Sequence, residues 1–123
     1  MMFFYSFCLK ISKIRLKVED ILIKFSIVKK IPLLGVCRGM QHINHYFGGS
    51  ISKIKNHMRK SHNIHLKDDL FHKDRMIVNS YHNYGIKNTN AAKKFKIQAV
   101  DSNNNIEMFE HIEKKIIGVM WHP

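Results

Sequence analysis

The run PLLGVCRGMQHINHYFGG, Pro32 to Gly49, limits the possible folds more than any other part of the chain. Ile31 to Val36 form a short continuous apolar run of the kind found in a strand buried in a parallel sheet. A cysteine and an arginine follow at once, and from Arg38 to Tyr46 or Phe47 the sequence predicts a helix, with Gly48 and Gly49 as its stop. Before the strand, Val18 to Val28 space their apolar residues as an amphipathic helix would, with Glu19 and Asp20 near its start, where the helix dipole favours negative charge. Pro32 ends that helix, because the residue before a proline avoids the helical region. Helix, buried strand, sharp turn and helix is α/β organisation.

A thiol at such a corner invites a chemical reading. A nucleophile on a strand-to-helix turn is held clear of the sheet beside a helix amino terminus, whose partial positive charge favours the thiolate. Gly35 and Gly39 are small enough to permit the bend. The backbone N–H of Arg38 would face an oxygen becoming negative on an attacked carbonyl, which is one half of an oxyanion hole. This geometry serves acyl transfer, although a buried cysteine with no chemistry fits an isolated G-x-C-x-G pattern equally well.

The rest of the chain is less explicit. Ser50 to Arg75 is polar and rich in histidine, has no firm period, and reads as loop and edge structure. MIVNS is a predicted strand that leads into YHNYGI, a polar and aromatic loop of the kind that carries function. FKIQAV and IEMFEHI flank the turn-rich DSNNN and predict a β-hairpin. KIIGVMW is the last predicted strand and delivers His122 at its carboxyl end. No internal repeat or Pro/Gly/Ser linker divides the chain.

In order and spacing, PLLGVCRGMQ with FGG after it, VNSYHN, and the final GVMWHP resemble the class I glutamine amidotransferase superfamily, and most closely its γ-glutamyl hydrolase branch, the peptidase C26 family. The resemblance covers Val18 to Pro123 and leaves residues 1–17 unassigned. It implies an α/β three-layer sandwich with a mainly parallel sheet, here truncated at both ends. It also implies cleavage of a γ-glutamyl amide through a cysteine thioester, with no cofactor and a small γ-glutamyl molecule as substrate. Cys37 matches the nucleophile and His122 the general base. Gln41 matches a substrate-contacting position, with helix capping or packing as its other reading. Arg38 either binds a substrate carboxylate or pairs within the fold. Ser80 and His82 fall in the N-S-x-H segment that borders the pocket, where His82 serves either the substrate or a structural hydrogen bond. His57 and His62 resemble histidines that follow the elbow helix in this branch.

Two departures accompany these matches. Family members carry a carboxylate in an H-P-E ending, whereas this sequence stops at Pro123. By analogy with the aspartate of serine protease triads, loss of that partner lowers turnover by about 10⁴. Strands, helices and a glycine-rich loop normally precede the elbow, and here the short lead and the unusual opening MMFFYSFCLKISKIRLK suggest a piece of a longer reading frame or a decayed gene product. A sheet without its early strands would expose an edge.

Composition bears on the rival readings. The formal net charge of +12 raises nucleic acid as a partner, yet the lysines are dispersed through an Ile-, Lys- and Asn-rich chain and no nucleic-acid motif appears, so none is expected. His57, His62, His65 and His72 with Asp68 and Asp69 are acceptable zinc ligands, but their spacing matches no standard site and no metal is expected. The opening apolar run is far short of the roughly 18 residues of a membrane span, so no membrane segment is expected. Cys8 and Cys37 define no disulfide framework, which suits a reducing cytoplasm. Two alternatives remain, a subunit that supplies ammonia to a synthase and an inactive fragment of such an enzyme; the C-R-G elbow and W-H-P ending resemble stand-alone hydrolases more than channelling subunits.

Overall fold

The computed structural model describes the backbone of residues 2–4 and the whole of residues 13–55, 58–68 and 72–123. Along these residues the chain forms β1 (Met2–Phe4), α1 (Lys13–Lys29), β2 (Leu33–Val36), α2 (Arg38–Tyr46), β3 (Ser52–Lys53), β4 (Met58–Leu66), β5 (Arg75–Tyr81), β6 (Tyr84–Lys87), β7 (Phe95–Asp101), β8 (Asn105–His111) and β9 (Ile116–Val119). The strands join in the order β1-β2-β9-β8-β7-β4-β5, and β6 pairs with both β8 and β3.

The α/β class expected from the elbow is the one observed, and the sheet is mixed and curled. Only β1 with β2 and β2 with β9 run parallel, while the remaining pairs are antiparallel. The mainly parallel sheet expected from the resemblance is therefore confined to the elbow end. Beyond it, consecutive strands joined by short turns favour antiparallel pairing. The backbone of β1 occupies the edge of β2 that was expected to lie open, with Met2 opposite Leu33.

Side chains along β2 and β9 alternate between two apolar clusters, as the pleat requires. Leu33, Ile116 and Met120 join Ile23 of α1 and Met40 and Ile43 of α2 on one face. Val36, Cys37 and Val119 join Ile64, Val78, Ala99 and Met108 on the other. This two-sided burial explains the unbroken apolar run in the sequence. Among the described residues, both α-helices pack into the first cluster, and strands from the curl cover the second face.

Two glycines set the distance between α2 and the sheet. Gly35 and Gly118 are register partners on β2 and β9. A Cβ on Gly35 would stand 2.9 Å from the Gly39 carbonyl carbon and 2.4 Å from Ile43 Cδ1, and one on Gly118 would meet Met40 Cγ at 2.6 Å. The close approach explains both glycines.

α1 begins at Lys13, earlier than its sequence pattern suggests. Glu19 and Asp20 therefore lie past the first turn and act through contacts: Arg15 Nε is 3.2 Å from Glu19 Oε1, and His42 Nε2 of α2 is 2.8 Å from Asp20 Oδ1. The helix is apolar on two sides, because Ile23 is buried while Ile14, Val18, Ile21, Phe25 and Val28 are exposed. The segment read as loop contains the nine-residue β4. Only Ile64 of that strand is fully buried, so its sequence shows no alternation, and backbone pairing to β5 and β7 holds it instead. The predicted hairpin is β7 and β8. Its turn is fastened by Asp101 Oδ1, which accepts from the backbone N–H groups of Asn103 and Asn105, each at 2.8 Å.

Candidate active site

Cys37 occupies the bend between β2 and α2 with φ 51° and ψ −108°. Positive φ in a side-chain-bearing residue costs about 1–3 kcal/mol and persists only where the surroundings fix it. Here the Cys37 N–H donates to the Val119 carbonyl at 2.8 Å, and the Cys37 carbonyl accepts the N–H of Gln41 at 3.2 Å, starting the helix. The unusual dihedral thus falls on the cysteine itself, whereas neither Gly35 nor Gly39 has positive φ. Cys37 is 7% exposed and packs with Val36, Ile64, Val78 and Val119, in a more apolar setting than a thiol held clear of the sheet.

His122 lies three residues beyond Val119, the last residue of β9, the strand next to β2. Val36 is the register partner of Val119, so Cys37 and His122 leave the same end of neighbouring parallel strands. The backbone of His122 is held by one side chain: its N–H donates to Asn79 Oδ1 at 2.8 Å, and Asn79 Nδ2 donates to its carbonyl at 2.7 Å. The Tyr81 ring meets the His122 ring edge to face, with centroids 5.8 Å apart.

The other sequence candidates surround the elbow helix and the start of β6. Gln41 Nε2 donates to the Tyr84 carbonyl at 2.8 Å and approaches Met120 Sδ at 3.8 Å. His82 Nδ1 lies 2.8 Å from the same carbonyl, which can only accept, so that nitrogen carries the proton. Gln41 and His82 therefore share one acceptor: His82 closes the YHNYGI turn on itself, and Gln41 fastens that turn to the elbow helix. His82 is buried at 6% exposure and Ser80 is fully buried, while Arg38, at the first position of α2, is half-buried.

Sequence reasoning missed Asn79 and Glu107. Asn79 sat within the quoted VNSYHN, but its role depends on β5 curling back over the end of β9. Glu107 is fully buried on β8, and its carbonyl accepts the Met120 N–H at 2.8 Å. His62 Nε2 of β4 lies 3.2 Å from Glu107 Oε1. That carboxylate, by hydrogen bonding and then by charge, raises the imidazole above its ordinary value against the opposing effect of burial.

The structure regroups the histidines considered as metal ligands. His62 meets Asp101 and Glu107, with one ligand atom from each within 4.8 Å of the others, whereas His57 and Asp69 lie outside the described residues. Asp101 also accepts two backbone N–H groups and the Asn105 amide within its hairpin turn. Among the described residues, no helix is long and apolar enough to cross a membrane.

Comparison with known proteins agrees with this architecture. The peptidase C26 family model matches residues 9–123. The γ-glutamyl-CDP-amidate hydrolase of Campylobacter jejuni is 40% identical over 112 residues, which is 91% of this chain and 52% of that protein. Anthranilate synthase component 2 of Pyropia yezoensis is 34% identical over 85% of this chain and 57% of its own length. The crystal structure of a glutamine amidotransferase from Thermotoga maritima superposes with a TM-score of 0.76 at 23% identity, over 89% of this chain and 48% of that one. The fold is that of the class I glutamine amidotransferase superfamily. Within it, the chain belongs to the peptidase C26 family. It spans about half the length of the relatives it matches.

Proposed function

We propose that the domain to which this chain belongs hydrolyses a γ-glutamyl amide, with Cys37 as nucleophile and His122 as proton carrier. The observation that carries the reading is the strained Cys37 corner on a strand whose parallel neighbour delivers His122 at the same end. In this scheme the Cys37 thiolate attacks the γ-carbonyl carbon, a C–S bond forms, and the carbonyl π electrons move to oxygen. The Arg38 N–H at the head of α2 stabilises that oxyanion. The carbonyl re-forms as the C–N bond breaks, and protonated His122 delivers a proton to the departing amine. Water, deprotonated by His122, then attacks the thioester, the C–S bond breaks, and glutamate leaves with Cys37 restored as thiolate. Thiolate and imidazole suffice for these steps, so no redox or nucleotide cofactor enters.

The guanidinium of Arg38 is suited to a substrate carboxylate. In this reading Gln41, Ser80 and His82 are the residues assigned to the substrate, and Gln41 and His82 meet at the shared Tyr84 carbonyl. Free hydrolysis is favoured over ammonia supply by the 40% identity to a protein described as a hydrolase of a γ-glutamyl nucleotide amide. The second reading, a subunit that feeds a synthase, has support from the 34% identity to anthranilate synthase component 2.

The test is release of p-nitroaniline from γ-glutamyl-p-nitroanilide, with hydroxylamine present to capture the thioester as γ-glutamyl hydroxamate. Release and hydroxamate formation that both disappear in Cys37→Ser support the proposal. Release that is indifferent to Cys37 overturns it, and release that appears only with a second protein favours the subunit reading.

A further inference from the structure

We propose that Asn79 is the positioning residue for His122, fixing the backbone from which the imidazole works; this rests on the reading of His122 as proton carrier. The side-chain amide of Asn79 makes two hydrogen bonds to a single residue, accepting the His122 N–H at 2.8 Å and donating to the His122 carbonyl at 2.7 Å. The backbone N–H can only donate and the carbonyl can only accept, so one orientation of the amide satisfies both. The clamp does for His122 what a neighbouring strand does for a paired residue. It does so beyond Val119, where the pairing of β9 ends.

Three further features converge on the same short segment. The Met120 N–H is fixed to the Glu107 carbonyl at 2.8 Å. Pro123 restricts the preceding residue to extended conformations. The Tyr81 ring, two residues along β5 from Asn79, stands edge-on to the imidazole at 5.8 Å. Once the backbone is held, the imidazole is left mainly its side-chain torsions, one of them limited by that ring. β8, β7 and β4 separate β9 from β5 in the sheet order, so the clamp joins the far strand of the curl to the segment beside the elbow. Through it the antiparallel half of the molecule sets the place of a group that the parallel half delivers.

Alkylation of Cys37 by iodoacetamide tests this without a substrate. Thiolate sulfur displaces iodide at a rate that, on the proposed pairing, depends on the His122 imidazole, and mass mapping separates the Cys37 peptide from that of Cys8. The rate is followed against pH, with thermal midpoints measured in parallel, in wild type, His122→Ala, Asn79→Ala and Asn79→Asp. The expected result is an inflection that His122→Ala abolishes and Asn79→Ala displaces toward the His122→Ala profile, with alkylation roughly ten-fold slower near neutral pH. Asn79→Asp keeps the acceptor and loses the donor, so its profile falls between wild type and Asn79→Ala. Should Asn79→Ala fail to fold, the near-isosteric Asn79→Asp decides alone. Wild-type profiles in the folded Asn79 variants, with His122→Ala altered, overturn the inference and leave the functional reading standing. A wild-type profile in His122→Ala overturns the reading beneath it and the inference with it.

Discussion

The two ends of the sheet are built by different means. At the elbow end, β2, α2 and β9 come within a short stretch of chain and one return strand, and close packing through Gly35 and Gly118 sets their geometry. At the other end, β4, β5, β7 and β8 pair antiparallel, carry polar residues on both sides, and bury charged groups such as Glu107. The first end carries the Cys37 corner, and the second supplies Asn79, which reaches across to the His122 backbone. The strained corner at Cys37 is thus written in a few adjacent residues, whereas Asn79, which holds the His122 backbone, depends on how the whole sheet curls.

Substitutions at the elbow should show that its contribution is chemical first and structural second. On the proposed reading of Cys37 as nucleophile, Cys37→Ser should lower γ-glutamyl amide hydrolysis by on the order of 10⁴-fold or more, since removing a nucleophile eliminates the whole covalent route. Its thermal midpoint should change little, and glutamate release with differential scanning calorimetry would separate the two effects. Gly35→Val should act the opposite way. Its Cβ would meet backbone of Gly39 at 2.9 Å, atoms that cannot rotate aside, so a loss of about 3 kcal/mol in urea denaturation is expected. Gly48→Ala is the contrast: φ is +93° and no atom lies within 4 Å of the new Cβ, leaving only backbone strain of about 1–2 kcal/mol. Equal losses in the two glycine variants would refute close packing as the reason for Gly35.

The same contrast decides what the sequence could disclose. Ile31 to Val36, Cys37 and the helix that follows are encoded by local rules of apolar runs and glycine stops, and they appear within a residue or two of their expected bounds. The hairpin of β7 and β8 was equally visible, because the DSNNN turn lies between two strand-like runs. β4 was hidden because a strand with solvated side chains carries no period-2 signal, and the preference for parallel pairing failed where pairing partners are set by the curl. Among the candidate site residues, the corner at Cys37 was legible from the strand-to-helix pattern, and His122 was singled out by the resemblance that GVMWHP carries. Asn79 went unnamed because its two bonds span 43 positions, and Glu107 because a carboxylate amid strand residues looks like an ordinary exposed charge until its burial is known.

The smallest expected effect probes the polar end through pH. His62 is raised above 6.5 in the folded protein, first by its hydrogen bond to Glu107. A raised basic group stabilises the fold fully below its unfolded value, and that stabilisation disappears as pH rises through the folded value. His62 should therefore give a decline in stability on the alkaline side of 6.5. His111 has the opposite sign, because burial, its largest cause, and then the charge of Lys114 lower it from 6.5. Its contribution is present above 6.5 and is lost as pH falls through the depressed value. Together the two histidines predict a shallow maximum in the urea midpoint near the ordinary histidine value. Glu107→Gln should remove the alkaline limb while leaving the acidic one, and His111→Gln should do the reverse. If Glu107→Gln left the alkaline decline in place, the buried carboxylate would not be what holds the His62 proton, and the electrostatic contrast between the two ends of the sheet would lose its main support.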